Sequence, residues 1–188
     1  MSRKIIACDL DDVLWDLVPT WIGEYNRIFK PKQNLKKEDI TTWDFSNVFP
    51  NKLDAHIFYH MLTYPGFWDK VVSNQDNKVI HKNIIWVHEL TKKYNVYVTT
   101  HTAYYQRHKI DLFLQLYKNY IDPNKLVLIS DKWLLNADIV IDDKAETLQE
   151  FLKKGVRCVK INQPWNSWLD CESYDTFVQA AEKLMTEV

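Results

Sequence analysis

Residues 4–16 read KIIACDLDDVLWD, and the fold turns on this stretch. The run Ile5-Ile6-Ala7-Cys8 is continuously apolar rather than alternating, the pattern of a strand covered on both faces in a parallel sheet. It leads straight into Asp9, Asp11 and Asp12, with Asp16 four residues beyond Asp12. Carboxylates brought to one point repel each other, and such a crowd is tolerable only when a cation or a proton is shared among them.

Outward from this strand, similar Val- and Ile-rich runs recur as NVYVTT (95–100), KLVLIS (125–130) and DIVIDD (138–143), with RCVKIN (157–162) as a fifth. Helical patterns alternate with them. KVIHKNIIWVHELTKKY (78–94) places Val79, Ile80, Ile84, Val87 and Leu90 near one face, and YQRHKIDLFLQLYKNY (105–120) does the same with Ile110, Phe113, Leu114 and Tyr117. KAETLQEFLKKG (144–155) ends on Gly155 as a helix C-cap. Strands alternating with helices predict an α/β fold, a parallel sheet flanked by helices. One region breaks the rhythm. DLVPTWIGEYNRIF (16–29), KKEDITTWDF (36–45), LDAHIFYHMLTYPGFW (53–68) and the polar exit SNQDNK (73–78) carry helix and loop signals but no strand. They predict a small helical cap at 17–75, inserted into a core made of 1–16 and 76–188.

The composition narrows the function classes. A chain of 188 residues is one domain with room for such an insertion. Its formal net charge of −1 argues against a protein that tracks a polynucleotide, while leaving small anionic substrates open. Three cysteines without C-x-x-C spacing indicate neither a disulfide framework nor a structural zinc, and fit a reducing, cytoplasmic setting. No segment approaches the roughly 20 apolar residues that span a membrane, and the apolar run after Arg3 and Lys4 is too short for a signal peptide.

In open parallel sheets ligands bind beyond the carboxyl ends of the strands, where this chain keeps its polar residues. The first strand delivers Asp9 and Asp11, the second Thr99 and Thr100, the third is followed by Lys132, and the fourth ends in Asp142 and Asp143. Singly, each has a plain structural explanation: an acidic helix start, a turn threonine, a solvated lysine. Together at consecutive strand ends they describe a site. His56 and His60 have a metal-like spacing but lack the H-E-x-x-H glutamate, so two exposed histidines are expected. Cys8 is expected as a small core residue.

These residues resemble the haloacid dehalogenase superfamily of phosphohydrolases, whose D-x-D-x-T/V signature DLDDV matches. The likeness is closer to the 5′(3′)-deoxyribonucleotidase family, on LVLISDKWLLNADIVIDDK with its ten-residue step from Lys132 to Asp142, and on YPGFW and INQPWN. The resemblance implies a Rossmann-like core with a helical cap after the first strand. It implies that Asp9 is the nucleophile and Asp11 the general acid and base. Magnesium would be held by the Asp9 carboxylate, the Asp11 backbone carbonyl and Asp142, with Asp143 orienting a water or Lys132. Thr99, the Thr100 amide and Lys132 would hold phosphate oxygens. The family commonly has glycine where this chain has Asp12, a bulky residue expected to point to solvent or perturb the loop. Lys109 is a candidate second phosphate contact, with exposed surface the expected alternative.

Trp15, Trp43, Phe45, Phe67 and Trp68 lie in or beside loops near the phosphate site. Most are expected to be core, with one or two lining a base pocket, Trp15 and Trp43 foremost. An aromatic cap with few lysines or arginines near its loops suits a flat, uncharged base. The substrate expected is therefore a nucleoside monophosphate, more specifically a deoxynucleotide, with a sugar phosphate or another small phosphomonoester as the alternative. A receiver-like phospho-acceptor domain is the reading from a different class; it needs no sixty-residue insertion, and its acidic pair would not follow the lysine. No polynucleotide or membrane partner is expected, and a homodimer is left open.

Overall fold

The computed structural model describes residues 2–49, 52–73, 77–101 and 107–187. Six strands form one parallel sheet in the order β3-β2-β1-β4-β5-β6, with β1 Ile5–Asp9, β2 Asn95–Thr100, β3 Leu126–Leu128, β4 Ile139–Asp142, β5 Arg157–Ile161 and β6 Glu172–Tyr174. The helices are α1 Leu17–Phe29, α2 Lys52–His60, α3 Pro65–Ser73, α4 Asn77–Lys93, α5 Arg107–Tyr117, α6 Ala145–Lys153 and α7 Phe177–Thr186. The chain starts in the middle of the sheet, builds outward to β3, then returns to β4 on the other side of β1. That reversal opens a crevice at the carboxyl ends of β1 and its neighbours.

The pleat explains what the crevice receives. Ile6 and Cys8 of β1, Val96 and Val98 of β2, and Ile139 and Ile141 of β4 share one face, buried in the main apolar cluster with Val87 and Leu90 of α4, Phe113 of α5 and Leu184 of α7. Ala7, Val140 and Cys158 point to the opposite face, against Leu148 and Phe151 of α6. Side chains alternate along a strand, so Asp9 and Asp142 project from the same face as Ala7 and Val140. Asp9 pairs with Thr99 in register, and Asp142 follows the Cys8↔Ile141 pair by one step. Three polar side chains thus stand abreast where the strands end.

Among the described residues between β1 and β2 there is no strand, only α1 to α4 and short 3₁₀ turns at Lys37–Asp39, Phe45–Val48 and Met61–Thr63. The expected boundary at residue 75 lies outside the described residues. Part of the expected loop HTAYYQRHK and the start of the expected helix at 105 also lie outside them.

Several expectations need correction. Val79 is 43 % exposed; the buried stripe of α4 runs instead through Ile80, Asn83, Ile84, Val87 and Leu90, because Asn83 donates to the Leu14 carbonyl at 3.0 Å and takes an inward position. In α5, Lys109 rather than Ile110 turns inward, one helical turn from Phe113 and two from Tyr117. The C-cap of α6 is Lys154, and Gly155 follows it at φ +73°. There Gly155 and Val156 donate to the carbonyls of Leu152 and Phe151, a doubly bonded termination that needs a left-handed residue. β6 was not expected: ESY at a sheet edge carries no apolar run. Among the described residues no helix is long and apolar enough to cross a membrane.

Candidate active site

At the end of β1, Asp9 is buried beside Asp142 and Asp143. Each of the three offers an oxygen, and these lie within 4.8 Å of one another. Lys132, in the 3₁₀ turn Lys132–Leu134, sits between two of them, with Nζ 2.7 Å from Asp9 Oδ1 and 2.8 Å from Asp142 Oδ2. Asp142 also accepts from the Lys144 N–H at 2.8 Å, and Asp143 accepts from the Trp165 indole at 2.9 Å. The second oxygen of Asp143 is buried without a hydrogen-bond partner.

Electrostatics follow from this packing. Burial pushes the Asp9 carboxyl up to about 7 against the pull of Lys132, with Asp142 and Asp11 adding to the rise. Burial, then Asp9 and Asp142, drive Asp143 well above the usual carboxylate range. Burial alone would lower Lys132, but Asp142 and Asp9 reverse this and hold its ammonium charged. With all three carboxylates ionised against one ammonium, two negative charges would remain, the charge of one divalent cation, and burial with this crowding is what raises Asp9 and Asp143. The all-oxygen donor set and the orphaned Asp143 oxygen fit a hard cation such as magnesium.

One step further along the chain, the Asp11 carboxylate is held by three donors. The Trp15 indole N–H meets Oδ1 at 2.8 Å and the Thr100 hydroxyl meets Oδ2 at 3.2 Å; the Lys109 ammonium also donates to Oδ2. The Thr99 hydroxyl donates to the Cys8 carbonyl at 3.3 Å, next to Asp9. Asp11 and Lys109 line a cavity of about 270 Å³ together with Trp21, Trp43, Phe45 and Trp68. A larger hollow of about 760 Å³ lies around Tyr25, Phe29 and Phe49; Asp9, Asp142, Asp143 and Lys132 line neither cavity, and the smaller one reaches the site through Asp11.

The sequence pattern of one protein family, described as "5' nucleotidase, deoxy (Pyrimidine), cytosolic type C protein", matches residues 3–186. The chain belongs to this family, and with it to the phosphoric monoester hydrolases. A 5′(3′)-deoxyribonucleotidase of Bacillus subtilis is 34% identical over 151 residues, which cover 79% of this chain and 81% of that protein. Solved folds agree. A hydrolase from Pseudomonas syringae superposes with a TM-score of 0.58 at 13% identity, covering 97% of this chain and 98% of the other. A chain described as a HAD-hydrolase from Bacillus subtilis, solved bound to magnesium, does so at 0.56 and 9% identity, covering 98% and 100%.

Within this nucleotidase fold, the motif residues meet as their order along the chain predicts, but three neighbours, Lys109, Trp15 and Asp12, behave differently. Lys109 is not surface: it is buried at the Asp11 carboxylate and lies 5.7 Å from the Trp68 ring centre. Trp15 is buried and is absent from the cavity wall, so its ring faces Trp68 at 6.3 Å rather than an open pocket. Phe67 is buried beside Trp68, the core position expected for most of these aromatics. Asp12 points inward, at φ +53°, and its carboxylate accepts the Val18 N–H in the first turn of α1 at 3.0 Å. A left-handed position explains the family's glycine there, and aspartate is among the few other residues that tolerate it.

The aromatic surroundings are also less neutral than expected. Lys37 lies 5.7 Å from the Trp165 ring centre and Lys144 5.2 Å from that of Trp43. Sequence reasoning missed His101, Tyr59 and Leu62 on the cavity wall, and Trp165 as the partner of Asp143. INQPWN was the only signal for the last of these. His56 and His60 are exposed, as expected.

Proposed function

We propose that this chain is a magnesium-dependent phosphatase that hydrolyses nucleoside monophosphates, deoxynucleotides in particular, through an aspartyl-phosphate on Asp9. The observation that carries the reading is the buried meeting of Asp9, Asp142, Asp143 and Lys132, with Asp11, two residues along the chain from Asp9, lining an aromatic cavity. The nucleotidase family and the name of the Bacillus relative support the substrate class. Asp9, Asp142 and the Asp11 carbonyl would hold the magnesium ion, which when bound offsets the negative charge of carboxylates and phosphate. Residues 17–75 act in this reading as a cap on the core formed by 1–16 and 76–188.

In the first half-reaction an Asp9 oxygen attacks phosphorus while Asp11 gives its proton to the departing ester oxygen. In the second, Asp11 takes a proton from water as that water attacks the phosphoryl group, and Asp9 is released as a carboxylate. Lys132, the Thr99 hydroxyl and the Thr100 amide serve the non-bridging oxygens. Trp43, Phe45 and Trp68 receive the base, where stacking is worth about 1–3 kcal/mol. The described cysteines are free thiols, which suits the cytoplasmic setting of the same proposal.

The test is a panel of phosphomonoesters assayed with magnesium and with excess chelator. Nucleoside monophosphates should lead sugar phosphates in kcat/KM, and chelation should stop turnover. Sugar phosphates as better substrates would remove the base-binding cap, and full activity in chelator would remove the metal mechanism.

A further inference from the structure

Trp15 is the residue whose placement the mechanism above leaves unused. It lies four positions after Asp11 because the turn folds back on itself: the Leu14 N–H donates to the Leu10 carbonyl at 3.0 Å, and Asp11 and Trp15 pair as an isolated bridge. The indole is buried against Trp68, off the cavity wall, and its N–H donates to Asp11 Oδ1 at 2.8 Å. The two oxygens of Asp11 are therefore unlike. All three donors are buried, but Oδ1 accepts from an indole off the cavity wall, whereas Oδ2 accepts from Thr100 and from Lys109, which lines the cavity.

We propose that Trp15 is a positioning residue for Asp11, its indole N–H holding Oδ1 so that Oδ2 alone exchanges the proton in both half-reactions. The inference rests on the phosphatase reading and deepens it. A carboxyl oxygen that accepts a hydrogen bond can do so whether the acid is charged or neutral, provided the proton sits on the other oxygen. The Trp15 contact therefore survives every protonation change. In the first step Oδ2–H gives its proton to the ester oxygen as the phosphorus–oxygen bond breaks and the Asp9–phosphorus bond forms. In the second, Oδ2 takes a proton from the attacking water as the Asp9–phosphorus bond breaks. Without the indole N–H the carboxyl group can rotate, and an aligned proton donor is lost where the leaving group needs one.

The experiment compares kcat/KM of the wild type with that of two variants in the presence of magnesium. The first is Trp15→Phe. The second carries 3-benzothienylalanine at position 15, which keeps the bicyclic shape and lacks only the N–H, so the answer does not depend on phenylalanine packing well. Three substrates are used: a deoxynucleoside 5′-monophosphate, 2-deoxyribose 5-phosphate and p-nitrophenyl phosphate. The first two share a poor leaving group and differ in the base; the third needs little protonation. kcat/KM ends at departure of the leaving group, so the shared second step does not enter it. The expected result is a tenfold or greater loss on both deoxyribose esters, with less than a twofold change on the aryl ester. Loss on the nucleotide alone would make Trp15 a base contact and overturn the proposal. Equal loss on all three, or none, would make it packing and overturn it as well. A wild type that hydrolyses none of the three esters rejects the phosphatase reading and the proposal together.

Discussion

Asp9 and Asp12 show how much one residue's surroundings decide. Asp9 is flanked by Thr99 and Asp142 through strand register, and its Oδ1 is shared between Lys132 and the Leu10 N–H at 2.7 Å. Asp9→Asn keeps the shape but cannot supply the attacking oxygen, so turnover should fall below a few per cent while the fold remains; retained activity in a steady-state assay would take the nucleophile role away from Asp9. Asp12 combines a left-handed backbone with a carboxylate that caps α1 at Val18. Asp12→Ala loses the cap, worth about 1 kcal/mol, and keeps a Cβ where the left-handed region costs about 1–2 kcal/mol. Asp12→Gly loses the cap but relieves that strain, which the wild-type aspartate also carries. Thermal melting should therefore place Asp12→Ala lowest, with Asp12→Gly above it; an alanine variant as stable as the glycine one would contradict the strain argument.

At the scale of elements, burial rather than pattern strength sets which faces turn inward. The α5 stripe is rotated by one residue from its apolar pattern because Lys109 finds a carboxylate in the interior, and a buried ammonium with such a partner is tolerated. The contact of α1 with α3 has an ionic component: Glu24 on α1 accepts from Arg27 at 2.8 Å and from Lys70 on α3. Arg27 holds the Glu24 carboxyl below its ordinary value, against burial and with help from Lys70. A depressed carboxylate contributes stability above its unfolded value, about 4.3, and the contribution is lost as pH falls through the folded value. Glu24→Gln should lower Tm at pH 7 by roughly 2–4 °C, the equivalent of about 1 kcal/mol. The difference from wild type should close as the pH falls through that depressed folded value. A gap that persists at acid pH would mean the variant disturbs packing instead.

For the whole molecule, the acidic centre is a source of instability that the proposed cation would relieve. Magnesium bound there at about a hundredfold over its dissociation constant would stabilise the folded state by about 2.7 kcal/mol, which for a chain of this size is roughly 5–10 °C in Tm. Wild type melted in magnesium should exceed wild type in chelator by that amount, and Asp142→Ala should gain little. Equal melting temperatures with and without the ion would show that the three carboxylates do not form its site.

The strand-end motifs Asp9, Asp11, Thr99, Thr100, Lys132, Asp142 and Asp143 were legible in the sequence because local rules carry them. A buried parallel strand is a continuous apolar run, its polar residues collect at one end, and the pleat assigns each side chain a face. The sixth strand, the inward lysine, the left-handed Asp12 and the roles of Trp15 and Trp165 were not legible. Apart from Trp15, whose partner Asp11 is only four residues away, each depends on a partner elsewhere in the chain or on a backbone angle: β5 beside Glu172–Tyr174, Asp11 near Lys109, Asp143 against Trp165. A polar side chain reads as surface in one dimension, and only the tertiary fold supplies the buried partner that offsets its desolvation. The sequence by itself determined where the chemistry is delivered; the folded structure decided which neighbours orient it.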